Sequence, residues 1–175
     1  EIGVRLVGSE MCIRDRGMKD QDLLAYIQPV FIDLDMNTVE PAIGAQRMDK
    51  VYAWKSMLDM GIHTSGGSDA PVVSFDAMEN IYFAVTRKNI SGQPQEGWIP
   101  SEKISVDEAV KLFTKNAAYA SYTEDENGTI EVGKNADFVV LEKNIYEIDP
   151  DEIKATKVDM TVLGGEIVYE REVEE

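Results

Sequence analysis

Apolar positions follow two regimes along the chain. Up to residue 122 they come as runs or at spacings of three and four; beyond it they come as short β-branched runs between turns. Residues 23–32 (LLAYIQPVFI) form an apolar run of strand length that alternates poorly. That is the pattern of a strand buried on both faces of a parallel sheet. Pro29 has no N–H to give a ladder, so the strand is expected to end or bend there. Residues 33–45 are polar and irregular. Met48, Val51, Tyr52, Lys55 and Leu58 recur at helical spacing and predict one helix over 46–60, with Gly61 as its C-terminal cap. Residues 62–65 read as a short strand and 66–71 as the loop leaving it. Ser74 is placed to cap a second helix over 75–87, whose Phe75, Met78, Ile81, Tyr82 and Val85 share a face. Residues 89–100 are a loop. Ser105 and Glu108 make a capping box for a third helix that carries Val106, Ala109, Val110, Phe113, Ala117 and Ala120.

Strand, helix, strand, helix is the order of βα units around a parallel sheet, so the fold class is α/β. After residue 122 the runs 129–132, 137–141, 160–163 and 166–169 predict strands of a separate β layer. Gly164-Gly165 is a two-residue hairpin signal between the last two. Residues 171–175 read as a charged tail. Two βα units leave both edges of a parallel sheet open, which is costly. The expectation is therefore that an N-terminal part of the same protein belongs with this sequence.

Composition narrows the partners. With 43% hydrophobic residues, the 175-residue chain can build a real core. Its formal charge of -16 repels phosphate backbones and anionic lipid, which excludes nucleic acid and membrane surfaces as partners. No apolar run is long enough to span a bilayer, and no secretory signal is visible, so the expected location is cytoplasmic. One cysteine, Cys12, allows no internal disulfide, and one histidine, His63, cannot complete a Cys/His zinc site.

The segment 6–16, LVGSEMCIRDR, resembles a translated sequencing-library adaptor of the kind carried by metagenomic reads. Residues 1–16 are accordingly read as an artefact without structure, and the natural part as starting near Gly17. Within 1–16 three arginines balance three acids, so the acidity belongs to the rest.

Chemistry concentrates in 61–72, GIHTSGGSDAPV. Two glycines let the chain turn where a strand ends, and Asp69 follows them. A carboxylate at the C-terminal rim of parallel strands can bind a metal or take a proton from water; it can also simply cap the next helix. His63 lies six residues earlier, as a packing residue or as a contact to substrate. Arg87, at the end of the second helix, can hold a substrate carboxylate, hold a loop or complement the helix dipole. Gln28 and Phe31, near the end of the first strand, either line a pocket or pack. Trp98 covers the site or packs its own loop. Residues 123–134 resemble a calcium-binding loop, but its twelfth position, which needs a bidentate Glu, is Lys134, so calcium binding is not expected.

The motif GSDAPV resembles the eighth-strand motif of the amidohydrolase superfamily. The branch is amidohydrolase family 3, with its N-substituted formamide deformylase-like and exoenzyme-regulatory-protein-like members. LLAYIQPVFID resembles that family's seventh strand, YAWKSMLDMGIHTSGGSDAPV the helix and eighth strand, and GTIEVGKNADFVVLEKN with MTVLGGEIVYE the return to a small β domain. The resemblance implies that 17–122 holds the last two βα units of a (β/α)8 TIM barrel. It also implies that 123–170 supplies strands of a small β-sandwich-like domain. It further implies a parent enzyme that hydrolyses a C–N bond of a small molecule with metal-activated water, using Zn2+. Asp69 would be metal ligand and base, and Gln28, Phe31, Arg87 and His63 are candidate substrate contacts. A homodimer is one option for the parent. The family's His-x-His pair would lie before Gly17, so this chain alone is expected neither to hold zinc tightly nor to act. The rival reading is a stand-alone acidic interaction or regulatory domain.

Overall fold

A computed structural model describes residues 17–172; the adaptor-like segment and the last three residues lie outside the described part. Strand β1 (Ala25–Ile27) pairs in parallel with β2 (Thr64–Gly66), with Ala25 opposite Thr64 and Ile27 opposite Gly66. Between them run helices α1 (Phe31–Asp35), α2 (Val39–Ile43) and α3 (Trp54–Asp59). After β2 come α4 (Ala77–Thr86), α5 (Val106–Phe113) and α6 (Lys115–Ala120). Strands β3 (Phe138–Leu141), β4 (Val158–Leu163) and β5 (Glu166–Glu170) form an antiparallel sheet in that order. Among the described residues no helix is long and apolar enough to cross a membrane.

The order of elements follows the expected pattern, with several corrections. The first strand stops at Ile27, because the chain turns at Pro29 and Phe31 already opens α1. The single helix expected over 46–60 is two pieces, a 3-10 helix (Ala45–Lys50) and α3. The break falls at Val51–Ala53, where Tyr52 has φ 50° and the carbonyls of Val51 and Tyr52 face the guanidinium of Arg87 instead of a helix. Helix α4 is capped not by Ser74 but by Asp76, whose carboxylate accepts from Met78 N at 2.8 Å and Glu79 N at 3.3 Å. Phe75 therefore lies outside the helix and is 85% exposed. The third helix breaks at Thr114 into α5 and α6. Residues 129–132 form no strand; they belong to a turn, with Ile130 and Val132 exposed. The Gly164-Gly165 hairpin is present, with φ of 58° and 84° that suit its tight turn.

One core gathers Ile27 and Ile32 beside β1, Trp54 and Met57 of α3, Ile81, Tyr82 and Phe83 of α4, and Leu112 of α5. Each large apolar side chain buried this way contributes roughly 1.5–3 kcal/mol. Ile145 and Ile153, which follow β3 in sequence, belong to the same core. A 3-10 helix (Pro150–Ala155) packs on α4, and Asp151 accepts from Lys88 Nζ at 2.7 Å and 3.0 Å.

The capping box at α5 forms as expected. Ser105 Oγ accepts from Glu108 N at 3.2 Å, and Glu108 Oε2 accepts from Ser105 N at 2.8 Å. Burial pushes the Glu108 carboxyl up, but bonds from Ser105 and from Lys55 outweigh it and hold the group below the ordinary glutamate range. A carboxyl depressed on folding adds stability above its unfolded pKa, and that stability is lost as pH falls through the folded value. Ser105→Ala should cost about 1 kcal/mol at neutral pH. It should also move the acid unfolding midpoint, followed by circular dichroism, to higher pH. An unchanged acid midpoint would show that the box does not stabilise the ionised Glu108.

Candidate active site

The parallel pair ends on one rim. Gly67 N donates to Ile27 O at 2.9 Å, which extends the ladder one step past Gly66. A Cβ at Gly66 would stand 2.7 Å from Cζ of Phe113, so the glycine makes room for the Phe113 ring of α5 against β2. Beyond Gly67 the chain leaves the sheet and reaches Asp69.

Asp69 is exposed and sits at φ 60°, in the left-handed region that only Gly, Asn and Asp visit at modest cost. Its carbonyl accepts from Val72 N at 2.9 Å, closing a tight turn. Among the described residues its carboxylate takes part in no hydrogen bond or ion pair. The helix after it has its own cap in Asp76. The sequence signal for that cap was the Asp directly before Ala77-Met78-Glu79, which the nearby Ser74 obscured.

Gln28 and Phe31 stand just past the end of β1, on the same rim as Asp69, and both are half-buried. Gln28 O accepts from Phe31 N at 3.1 Å, and the Phe31 ring packs on the core. His63 is at the other end of β2. Its exposed ring stacks on Tyr119 of α6 with centroids 4.3 Å apart and planes 17° from parallel. The strand thus separates His63 from Asp69.

Arg87 is fully buried. It ends α4 in the left-handed region, with φ 54°. Its Nε donates to Trp98 O at 2.6 Å and its Nη1 to Tyr52 O at 2.9 Å, while Nη2 reaches Val51 O at 3.5 Å. The guanidinium lies 4.7 Å from the Trp54 ring centre and 5.7 Å from that of Trp98. Burial pushes its pKa down to about 10, against the pull of Glu102. Beside it, burial and then the hydrogen bond to Asp35 push the Tyr52 phenol above its ordinary range. This cluster fixes the loop 88–99 and the start of α3; Trp98 packs inside it. Glu102, also buried, accepts from Ser56 N at 2.9 Å and so caps α3 from 46 residues away, which no local pattern announced.

Among the described residues, no three His, Cys, Asp or Glu side chains stand together as a metal cluster.

The amidohydrolase family model matches residues 16–169. The chain belongs to the amidohydrolase family. It is 38% identical to YtcJ of Bacillus subtilis strain 168, described as an amidohydrolase, over 83% of this chain and 27% of that protein. It is 35% identical to the N-substituted formamide deformylase of Arthrobacter pascens over 70% of this chain and 22% of that enzyme. This member of the amidohydrolase family therefore spans about a quarter of the length of these relatives. Its fold matches that of a metal-dependent hydrolase from Pyrococcus horikoshii with a TM-score of 0.73 at 19% identity, over 82% of this chain and 29% of that one. The α/β amidohydrolase fold is thereby established.

Proposed function

We propose that this chain is the C-terminal portion of a metal-dependent amidohydrolase that hydrolyses a C–N bond of a small molecule. Residues 17–122 would close the barrel with its last two βα units. Residues 123–170 would add strands to a small second domain. The observation that carries the reading is the Asp69 carboxylate, which has no hydrogen-bond or ion-pair partner among the described residues and stands on the C-terminal rim of a parallel pair. Rim positions of this kind hold catalytic groups in barrel enzymes. A carboxylate spent on no fold contact is available for proton transfer.

Zinc is the metal the family resemblance implies, but the described residues do not fit it by themselves. A catalytic zinc takes about three protein ligands, and this chain offers one carboxylate at the rim. The remaining ligands would come from residues N-terminal to Gly17 in the longer protein. The part that falls to this chain is proton handling: Asp69 takes a proton from the attacking water and passes it to the leaving nitrogen. Gln28 and Phe31, on the same rim, are the proposed pocket lining. His63 and Arg87 remain the other two proposed substrate contacts, although His63 stacks on Tyr119 and Arg87 is held by the carbonyls of Trp98, Tyr52 and Val51. A cytoplasmic location and a homodimeric parent belong to the same proposal.

The test begins with the coding DNA upstream of the Gly17 codon. The frame is expected to continue through a His-x-His strand. The extended protein is expected to release amine from N-substituted formamides or simple amides and to stop doing so after chelation. The 175-residue chain alone should retain well under one zinc per molecule. A natural start at Met18, or a folded and metal-loaded extended protein that releases no amine, would replace the hydrolase by the interaction-domain reading.

A further inference from the structure

The turn that carries the chain from α6 to β3 encloses a cation of its own. Lys134 Nζ donates to Glu124 O at 2.6 Å and to Thr129 Oγ1 at 2.8 Å, with Asn127 O at 3.4 Å. The Glu131 carboxylate lies 3.6 Å away, and the lysine side chain is only 17% exposed. An ammonium has three protons to give, and three neutral oxygens of one turn receive them. The backbone is closed around them by Asn127 N to Thr123 O at 2.8 Å and Asn135 N to Glu126 O at 2.9 Å. Asn135 Nδ2 adds a bond to Asn127 Oδ1 at 2.9 Å. The turn is seated firmly on α6: Gly128 has φ 89°, and a Cβ there would fall 2.7 Å from the Ala118 methyl. Within the same turn Glu124 Oε2 is buried without a hydrogen-bond partner among the described residues.

We propose that residues 123–135 form a monovalent-cation site whose resident ion is the Lys134 ammonium. Removing that ammonium opens the site to free ammonium-type ions. Two carbonyls and a hydroxyl suit a singly charged ion that donates hydrogen bonds. A calcium ion wants six to eight oxygens, several of them carboxylate. Tethering gives the lysine an effective concentration in the millimolar range or above, so free ions do not displace it in the native turn. The twelfth position of the calcium-loop-like stretch is this lysine, and its ammonium fills the place that an ion would take.

The experiment follows amide hydrogen exchange at Asn127 and Asn135 in the full chain. In Lys134→Ala and Lys134→Met, exchange should rise about tenfold at both amides. In Lys134→Ala, methylammonium chloride should restore most of the protection. Tetramethylammonium chloride at equal ionic strength should not, since it is too large and donates nothing. Unchanged exchange in both variants overturns the proposal, and so does a loss that methylammonium fails to reverse. If Lys134→Ala does not fold, Thr129→Val removes one cage oxygen and must raise exchange at the same two amides. Unaltered protection in that variant is equally fatal.

Discussion

Replacing Arg87 with methionine is expected to lower the stability of the chain by about 3–5 kcal/mol. Methionine keeps most of the stem, so the loss reads the guanidinium. Two short bonds disappear, to Trp98 O and Tyr52 O; Trp98 O then lacks a donor, at a cost of roughly 1–3 kcal/mol, while Tyr52 O keeps the bond from Trp54 N at 2.8 Å. Stacking on Trp54 goes with them. With a urea slope near 2 kcal/mol/M, the denaturation midpoint should fall by about 2 M. Arg87→Lys should recover little, because an ammonium cannot reach carbonyls spread over Val51, Tyr52 and Trp98 as a fork does. A midpoint within about 0.5 M of the original would mean that the cluster is not the keystone of loop 88–99.

In the extended protein, Asp69→Asn should reduce kcat/KM for amide hydrolysis by about 10²–10⁴-fold and leave the fold intact. The first half rests on the role proposed for Asp69, and the second follows from the geometry. The Asp69 carboxylate makes no hydrogen bond among the described residues, so the fold loses nothing when its charge goes. Asparagine also tolerates φ 60°, which alanine does not, so the turn through Val72 survives and the readout stays chemical. Thermal unfolding of the variant checks the second half. Activity within about threefold of the original would remove Asp69 from proton transfer.

The two regimes of apolar spacing marked where parallel βα structure gives way to antiparallel strands, and local signals such as the Ser105–Glu108 box and the Gly164-Gly165 hairpin formed as read. These are features decided within a few residues. What could not be read was decided over distance. The helix over 46–60 breaks because Arg87, 36 residues away from Val51, captures carbonyls that the helix would have used. The α3 cap comes from Glu102, 46 residues from Ser56. Residues 129–132 have strand-like composition, yet the lysine beyond them folds them into a turn. The turn at Asp69 was legible because two glycines ahead of a short polar residue leave a mark in sequence. The placing of His63 at the far end of β2, against Tyr119, left none.

The 3-10 helix at Pro150–Ala155 has a thermodynamic consequence. Ile153 is fully buried in the core that Ile81 and Tyr82 line; Lys88 reaches to Asp151 of this segment, and Lys154 reaches from it to Ile90 O. A change of architecture near residue 122 is therefore not a boundary of cooperativity. The segment between β3 and β4 cannot leave while the helices stay folded, because loss of Ile153 would open a hole in their core. That segment is expected to unfold with the helices, so damage to their shared core is felt on both sides of it.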